Sequence, residues 1–324
     1  MRIPAFARRL AGSMAPWHGV IGINYHRIGD GRRSVYDRGL WSATVEDLDA
    51  QLRWLKAHVD VIEPADIPRA LRSKRGRHAV VTFDDGYRDN YTDALPVLLA
   101  HRVKATFFIT TGFIDSPRVP FWDEIAWMVR TGRNTLLNIP GFFPAPLLVD
   151  EPEREHAIRR LLKTWWTLPT DRTSEYLLAI GEATGSGRLL ADTETLQGNW
   201  MTWDMVRGLH ASGMTIGGHT VNHPIMARLS REQQMTEITG CERRLREELG
   251  IAMQTFAYPF GARDAFNADS RECLQERGVL TAFSYYGGIR KISDWEDLDI
   301  PRFAVEQSTS LAEFRANVMF PWTT

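Results

Sequence analysis

Val80-Val81-Thr82-Phe83-Asp84-Asp85-Gly86-Tyr87 is an apolar run that stops abruptly at two carboxylates. Extended back to Ala79, its β-branched, uncharged start reads as a strand buried on both faces and closed by a glycine. In α/β folds the chemistry sits where such strands end, because the following loops converge there over a rigid scaffold. Adjacent aspartates at that point repel each other, so a cation is their natural guest. Further along, Ile216-Gly217-Gly218-His219-Thr220-Val221-Asn222-His223-Pro224 supplies two imidazoles after another strand-like run. Two histidines and one carboxylate can hold a catalytic divalent metal and leave positions open for water. The other carboxylate is then free to act as a base. Zinc (Zn2+) suits these donors, and cobalt, nickel and iron fit the same spacing. Spacing does not say which aspartate is the ligand.

Working outward, strand and helix alternate. Gly19 to Arg27 reads as a strand carrying Tyr25 and His26 at its end, and Thr44 caps a helix whose Val45, Leu48, Leu52 and Leu55 keep helical spacing. Val59 to Ile62 reads as a short strand and Ala65 to Leu71 as a short helix, and the strand Ala105 to Thr110 follows the Asp84-Asp85 strand. From about 113 to 200 the pattern stops, giving way to Pro, Gly and Trp clusters with helical segments near Ala157–Trp166 and Glu175–Glu182. The expectation is a helical insertion in a single domain spanning 1–324, forming a lid or a wall of the cleft, with Trp165 and Trp166 either packing its helices or lining a membrane-facing lip. The alternation then resumes: a helix near 202–212, the strand Met214–Gly217, and a helix opened by the Ser230/Gln233 capping box and stopped by Gly250. Strands at Gln254–Tyr258 and Leu280–Tyr285 flank a helix near Asn267–Arg277, and after Ile300-Pro301-Arg302-Phe303 a helix capped by Ser310 ends the pattern. Such alternation is the signature of a parallel α/β sheet, closed or open.

The chain has 324 residues, long enough for a full core, with 44% hydrophobic and 24% charged residues, ordinary globular values. A formal net charge of −1 argues against nucleic acid as a partner. Cys241 and Cys273 make no disulfide framework. Ile3, Phe6, Ala7, Leu10 and Met14 fall on one helical stripe beside Arg2, Arg8 and Arg9, suiting a short helix packed on the domain or a peripheral membrane contact. No uninterrupted apolar segment follows those arginines, so no cleaved signal peptide is expected, and the expected compartment is the cytoplasm, with membrane association through that helix.

The TFDDG run (Thr82–Gly86) followed by HTxxHP (His219–Pro224) resembles the polysaccharide deacetylases, the NodB-like fold of carbohydrate esterase family 4. The resemblance covers roughly residues 18 to 310 and implies an irregular (β/α)7 barrel, which about seven strands suit. It also implies roles: Asp85, His219 and His223 as metal ligands and Asp84 as general base. In the family a motif written RxP followed by an aromatic residue supplies a backbone N–H to the oxyanion; the match is Ala257-Tyr258-Pro259-Phe260, so the amide of Phe260 carries over. The arginine does not, and Arg302 is the candidate to replace it near Asp84. Asp294-Trp295 resembles the family's acidic-Trp motif loosely.

The family's usual C-terminal proton donor is missing too, since no histidine follows His223. Circularly permuted members carry that acid on an N-terminal strand, where Tyr25-His26 stands here, so His26 is the expected general acid. Tyr87, Tyr258, Trp203 and Trp295 are candidates to stack on a sugar ring. The implied activity is metal-dependent removal of an N-acetyl group from an amino sugar or glycan, a surface polysaccharide or its lipid-linked precursor. Removal of O-acetyl or formyl groups, and glycan binding without catalysis, are alternatives on the same scaffold.

Overall fold

The computed structural model describes residues 17–189, 198–290 and 292–321. They divide into two compact units, one of residues 17–29, 41–116 and 198–321, the other of 30–40 and 117–189. The first is a nearly closed barrel of seven parallel strands with surrounding helices: β1 (Gly19–Tyr25), β2 (Arg77–Phe83), β3 (Thr106–Ile109), β4 (Thr215–Gly218), β5 (Thr255–Ala257), β6 (Thr281–Phe283) and β7 (Arg302–Ala304). Each strand pairs with the next in sequence from β1 to β6, and β7 pairs with β1. The ring is joined where Ile300, just ahead of β7, bridges to Phe283 of β6. A short segment, Asp60–Val61, adds to the edge of β2.

Alternation along β1 and β2 sends Val20, Gly22 and Asn24, with Val80 and Thr82, to one face, the barrel interior. Outward-facing Ile21, Ile23, Val81, Phe83 and Phe107 join the helices in the main core. The helix Val45–His58 begins where Thr44 accepts the Asp47 N–H, and it buries Leu48, Leu52 and Leu55. The longest helix, Arg231–Leu249, opens with a reciprocal Ser230/Gln233 cap and ends at Gly250 in the left-handed region. Gly22 has a positional reason: a Cβ there would stand 2.3 Å from Arg302 Cγ, so a glycine on β1 admits the arginine into the barrel.

The second unit packs helices Phe121–Thr131, Arg154–Thr167 and Thr173–Thr184 with a two-stranded antiparallel hairpin, Leu136–Leu137 and Leu147–Leu148. Ile125, Met128, Leu137, Leu147, Ile158, Leu161, Tyr176 and Ile180 form its core, and Trp165 stacks on Phe121 within it. Residues 30–40 belong to this unit, although they lie far from 117–189 in sequence and have no periodic pattern. The Asp37 N–H donates to Asp123, and Arg38 and Arg130 both pair with Glu155. No helix among the described residues is long and apolar enough to cross a membrane. The stripe from Ile3 to Met14 lies outside the described residues.

Candidate active site

β2 ends at Phe83, and the chain turns so sharply that Asp85 takes φ 75° and Gly86 φ 95°. The histidine loop after β4 is strained in the same way, with Thr220 at φ 66° and His223 at φ 57°, and Phe260 after β5 stands at φ 63°. The left-handed region costs a non-glycine residue about 1 kcal/mol or more, and a β-branched threonine is a genuine outlier there. Four such residues at three strand ends mark a place where geometry is held against local preference.

Supporting bonds show what holds it. Glu237, from the long helix, accepts the Val221 and Asn222 N–H groups at 2.9 and 2.8 Å and the Asn222 side-chain amide at 2.6 Å. The Thr220 hydroxyl accepts the His223 N–H at 2.9 Å, and Thr111 and Gly112 donate backbone N–H groups to the carbonyls of Thr220 and Val221. Sequence reasoning missed Glu237, because nothing in a helical run of charged residues marks the one that turns inward.

The strand ends bring Asp85, His219 and His223 together, with one donor atom from each within 4.8 Å of the others. Asp85 Oδ1 lies 3.4 Å from His219 Nε2 and 3.2 Å from His223 Nε2. His219 Nδ1 sits 2.7 Å from the Ala257 carbonyl, which can only accept, so that nitrogen carries the proton. In the neutral ring Nε2 then presents a lone pair toward the Asp85 carboxylate. A lone pair facing a carboxylate, with the far nitrogen anchored on a carbonyl, is the arrangement of a ligand set around a cation. Asp85 Oδ1 is buried and makes no hydrogen bond among the described residues, as befits an atom reserved for such an ion. The donors present therefore fit a divalent metal.

Charge follows the same logic. Burial pushes the Asp85 carboxyl up, but the His223 imidazole beside it outweighs that and holds it well below the usual range. Burial lowers His219, yet Asp84 and Asp85 beside it raise it above its ordinary value. His223 stays lowered, because burial outweighs its contact with Asp85.

Asp84 is placed differently. Arg302 grips both of its oxygens at 2.8 Å, and Asn24 donates to Oδ2 at 3.2 Å. The arginine is fully buried and its remaining donors go to the Ser284 carbonyl, Asn24 Oδ1 and the Thr82 hydroxyl. Burial raises Asp84, but the Arg302 and His219 charges outweigh it and hold the carboxyl below its ordinary value. Ala257, where the resemblance directs attention for an arginine, packs among Val80, Phe108 and Phe283 instead. The guanidinium at Asp84 comes from β7.

His26, half-buried, stands at the end of β1 with its ring edge-on to Tyr285 at 5.6 Å. The Arg302 guanidinium is 5.9 Å from the same tyrosine, so Tyr285 neighbours both; only its place just after β6 hinted at it. The Phe260 ring packs edge-on against His223 at 4.7 Å, which puts the Tyr258–Gly261 turn beside the histidines.

The sugar-stacking candidates fare worse. Tyr258 is buried, stacks on Phe266 and donates its hydroxyl to the Leu298 carbonyl, so neither ring face is open to a ligand. Tyr87 is fully buried against Trp200, with Arg27 over its ring. Trp295 packs against a cluster containing Val20, Ile67, Ala70 and Val80, and its indole N–H goes to Asp297. Trp203 is half-buried, donates to Asp115 and lies under Arg244. The two tyrosines are aromatics recruited by packing.

Strand ends that gather one carboxylate and two imidazoles beside an arginine-held carboxylate make a site of the hydrolytic kind. The chain belongs to the polysaccharide deacetylase family, whose sequence model matches residues 72–138 and 173–282, more than half of it. It is 28% identical over 134 residues to a poly-beta-1,6-N-acetyl-D-glucosamine N-deacetylase of Escherichia coli O157:H7, a stretch covering 38% of this chain and 19% of that protein. It is 34% identical over 68 residues to YxkH, a polysaccharide deacetylase described as putative in Bacillus subtilis (strain 168), covering 20% of this chain and 24% of that one. The matches thus span less than a quarter of the length of these relatives. In fold it is similar to Streptococcus pyogenes deacetylase PplD in complex with acetate (TM-score 0.59, 16% identity, 95% of this chain and 100% of that one). It is similar also to IcaB from Ammonifex degensii (TM-score 0.57, 17% identity, 94% and 97%).

Proposed function

We propose that this chain is a metal-dependent hydrolase that removes N-acetyl groups from an amino-sugar glycan and releases acetate. The supporting observation is that Asp85 and both histidines lie within 4.8 Å of one another while Asp84, next in the chain, is held apart by Arg302. Asp85, His219 and His223 would hold the ion. A divalent metal supplies Lewis-acid polarisation of a carbonyl and a more acidic water.

The chain's own residues do the rest. Asp84, ionised and oriented by Arg302 and Asn24, takes the proton of the attacking water. The oxygen of the acetyl carbonyl gains charge as the carbon becomes tetrahedral, and the Phe260 N–H stabilises it. His26 gives a proton to the departing nitrogen, without which an amine leaves poorly. The C–N bond breaks to yield acetate and the free amino sugar.

N-acetylglucosamine polymers are the favoured substrate class, because the E. coli O157:H7 relative is named for one. The test is acetate release from a panel of N-acetylglucosamine oligomers, lipid-linked N-acetyl sugars and O-acetylated glycans, with and without a chelator. Chelator-sensitive acetate release from the N-acetyl substrates is expected. Bound metal with no acetate from any of them would refute the proposal.

A further inference from the structure

His26 sits where β1 breaks before the short strand Arg27–Ile28, at the kind of junction where a backbone has freedom to swing. Here its polar backbone atoms are tied down. The His26 N–H donates to Ser42 Oγ at 2.9 Å, and its carbonyl accepts from Asn90 Nδ2 at 2.6 Å. The Ile28 N–H donates to Asp89 Oδ1 at 2.9 Å, and Arg27 Nε donates to Asp89 Oδ2 at 2.9 Å. Asn90 Nδ2 also reaches Asp89 Oδ1 at 3.2 Å, which locks the two side chains to each other. The Arg27 guanidinium lies 4.3 Å from the ring centre of Trp41 and 4.6 Å from that of Tyr87.

Ser42, Asp89 and Asn90 are all buried. A wide π-type turn, Asn90–Ala94, starts at the asparagine, and such turns recur at functional sites. A buried asparagine must bond something, and a nearby carbonyl would satisfy it anywhere in a fold. What sets this one apart is convergence. Asn90 and a serine from another strand close on the residue that bears the proton donor, while Asp89, next to Asn90 in the chain, holds the two residues that follow it.

We propose that Asp89 and Asn90, with Ser42, are positioning residues that clamp the His26 backbone so that its imidazole stays opposed to Asp84. This rests on the reading of His26 as the proton donor. The loop Asp84–Asn90 then supplies the base, a metal ligand and the clamp on the acid, so one short stretch of chain registers acid against base. Displacement of a catalytic group by about 1 Å from its productive place costs on the order of a hundredfold.

The experiment measures hydrolysis of a β-1,6-linked N-acetylglucosamine oligomer and of p-nitrophenyl acetate by the same metal-loaded preparations of wild type, Asn90→Ala, Asp89→Asn, Ser42→Ala and His26→Gln. The amide needs a protonated leaving group and the aryl ester does not. The ratio of the two rates cancels any difference in folded fraction. Asn90→Ala should lower the amide-to-ester ratio roughly tenfold or more, with the loss in kcat rather than KM. Should Asn90→Ala fail to fold, the same fall is expected from Ser42→Ala. Equal loss on both substrates, or no loss on either, overturns the clamp. If His26→Gln lowers the ratio while the clamp variants do not, only the positioning role falls. If His26→Gln leaves the ratio unchanged, the proton-donor reading itself is wrong.

Discussion

Earlier along three of the strands stand the apolar residues Val20, Val80 and, just ahead of β7, Ile300, in one buried cluster with Ile67 and Ala70 against which Trp295 packs. Two to four residues further along the same strands stand Asn24, Thr82, Asp84 and Arg302, joined in one buried network. One sheet therefore carries a dry end and a polar end with no change of backbone. The dry end gains from simple burial, worth about 1.5–3 kcal/mol for each large side chain taken from water. The polar end sets desolvation of charges against their mutual attraction and contributes little net stability for the same volume. It is kept because the chemistry requires ionised groups in fixed places. Function lies at the layer of the barrel where apolar filling gives way to satisfied charge.

The largest effect should come from the polar end. His223→Ala should reduce bound metal from about one ion per chain to background and abolish acetate release, because two ligands do not make a closed set. Elemental analysis of the variant beside wild type checks this, and equal metal content would remove the proposed site. Next is Arg302→Met, which strands Asp84 without its counter-ion and should cost about 3–5 kcal/mol in denaturant unfolding. Adding Asp84→Asn to that variant should restore part of the loss, and strict additivity would mean the pair is not coupled.

Asp84→Asn alone keeps the shape of the side chain and the other partners of Arg302. It should retain its metal and lose turnover by roughly a hundredfold, the usual worth of a general base. If this variant loses its metal while Asp85→Asn keeps it, the two aspartate roles are reversed. The smallest effect belongs to the dry end. Trp295→Ala should lower stability by about 1–3 kcal/mol through lost packing, with kcat and KM within about twofold of wild type. A large rise in KM would return Trp295 to the sugar site and erase the contrast between the two ends.

Sugar-stacking candidates could not be separated in the sequence because exposure is a property of the assembled core. Tyr258 follows a strand in the same local context whether its ring faces solvent or Phe266. The clamp on His26 was equally hidden, since Asn90 and His26 lie 64 residues apart and an asparagine after an aspartate has many local explanations.

From the order of residues alone came the alternation of strands and helices, the strand ends at Asp84-Asp85 and at the histidine loop, and the donors for a metal. These were legible because each depends on neighbours within one short segment, where periodicity and residue type act directly. Only the tertiary structure decided that Arg302, 218 residues from Asp84, supplies its buried counter-charge, passing the gap left by Gly22. The same holds for Glu237 bracing the histidine loop and for the inclusion of residues 30–40 in the second unit. Such pairings have no local signal, because they depend on which side chains strand register and closure of the barrel bring face to face.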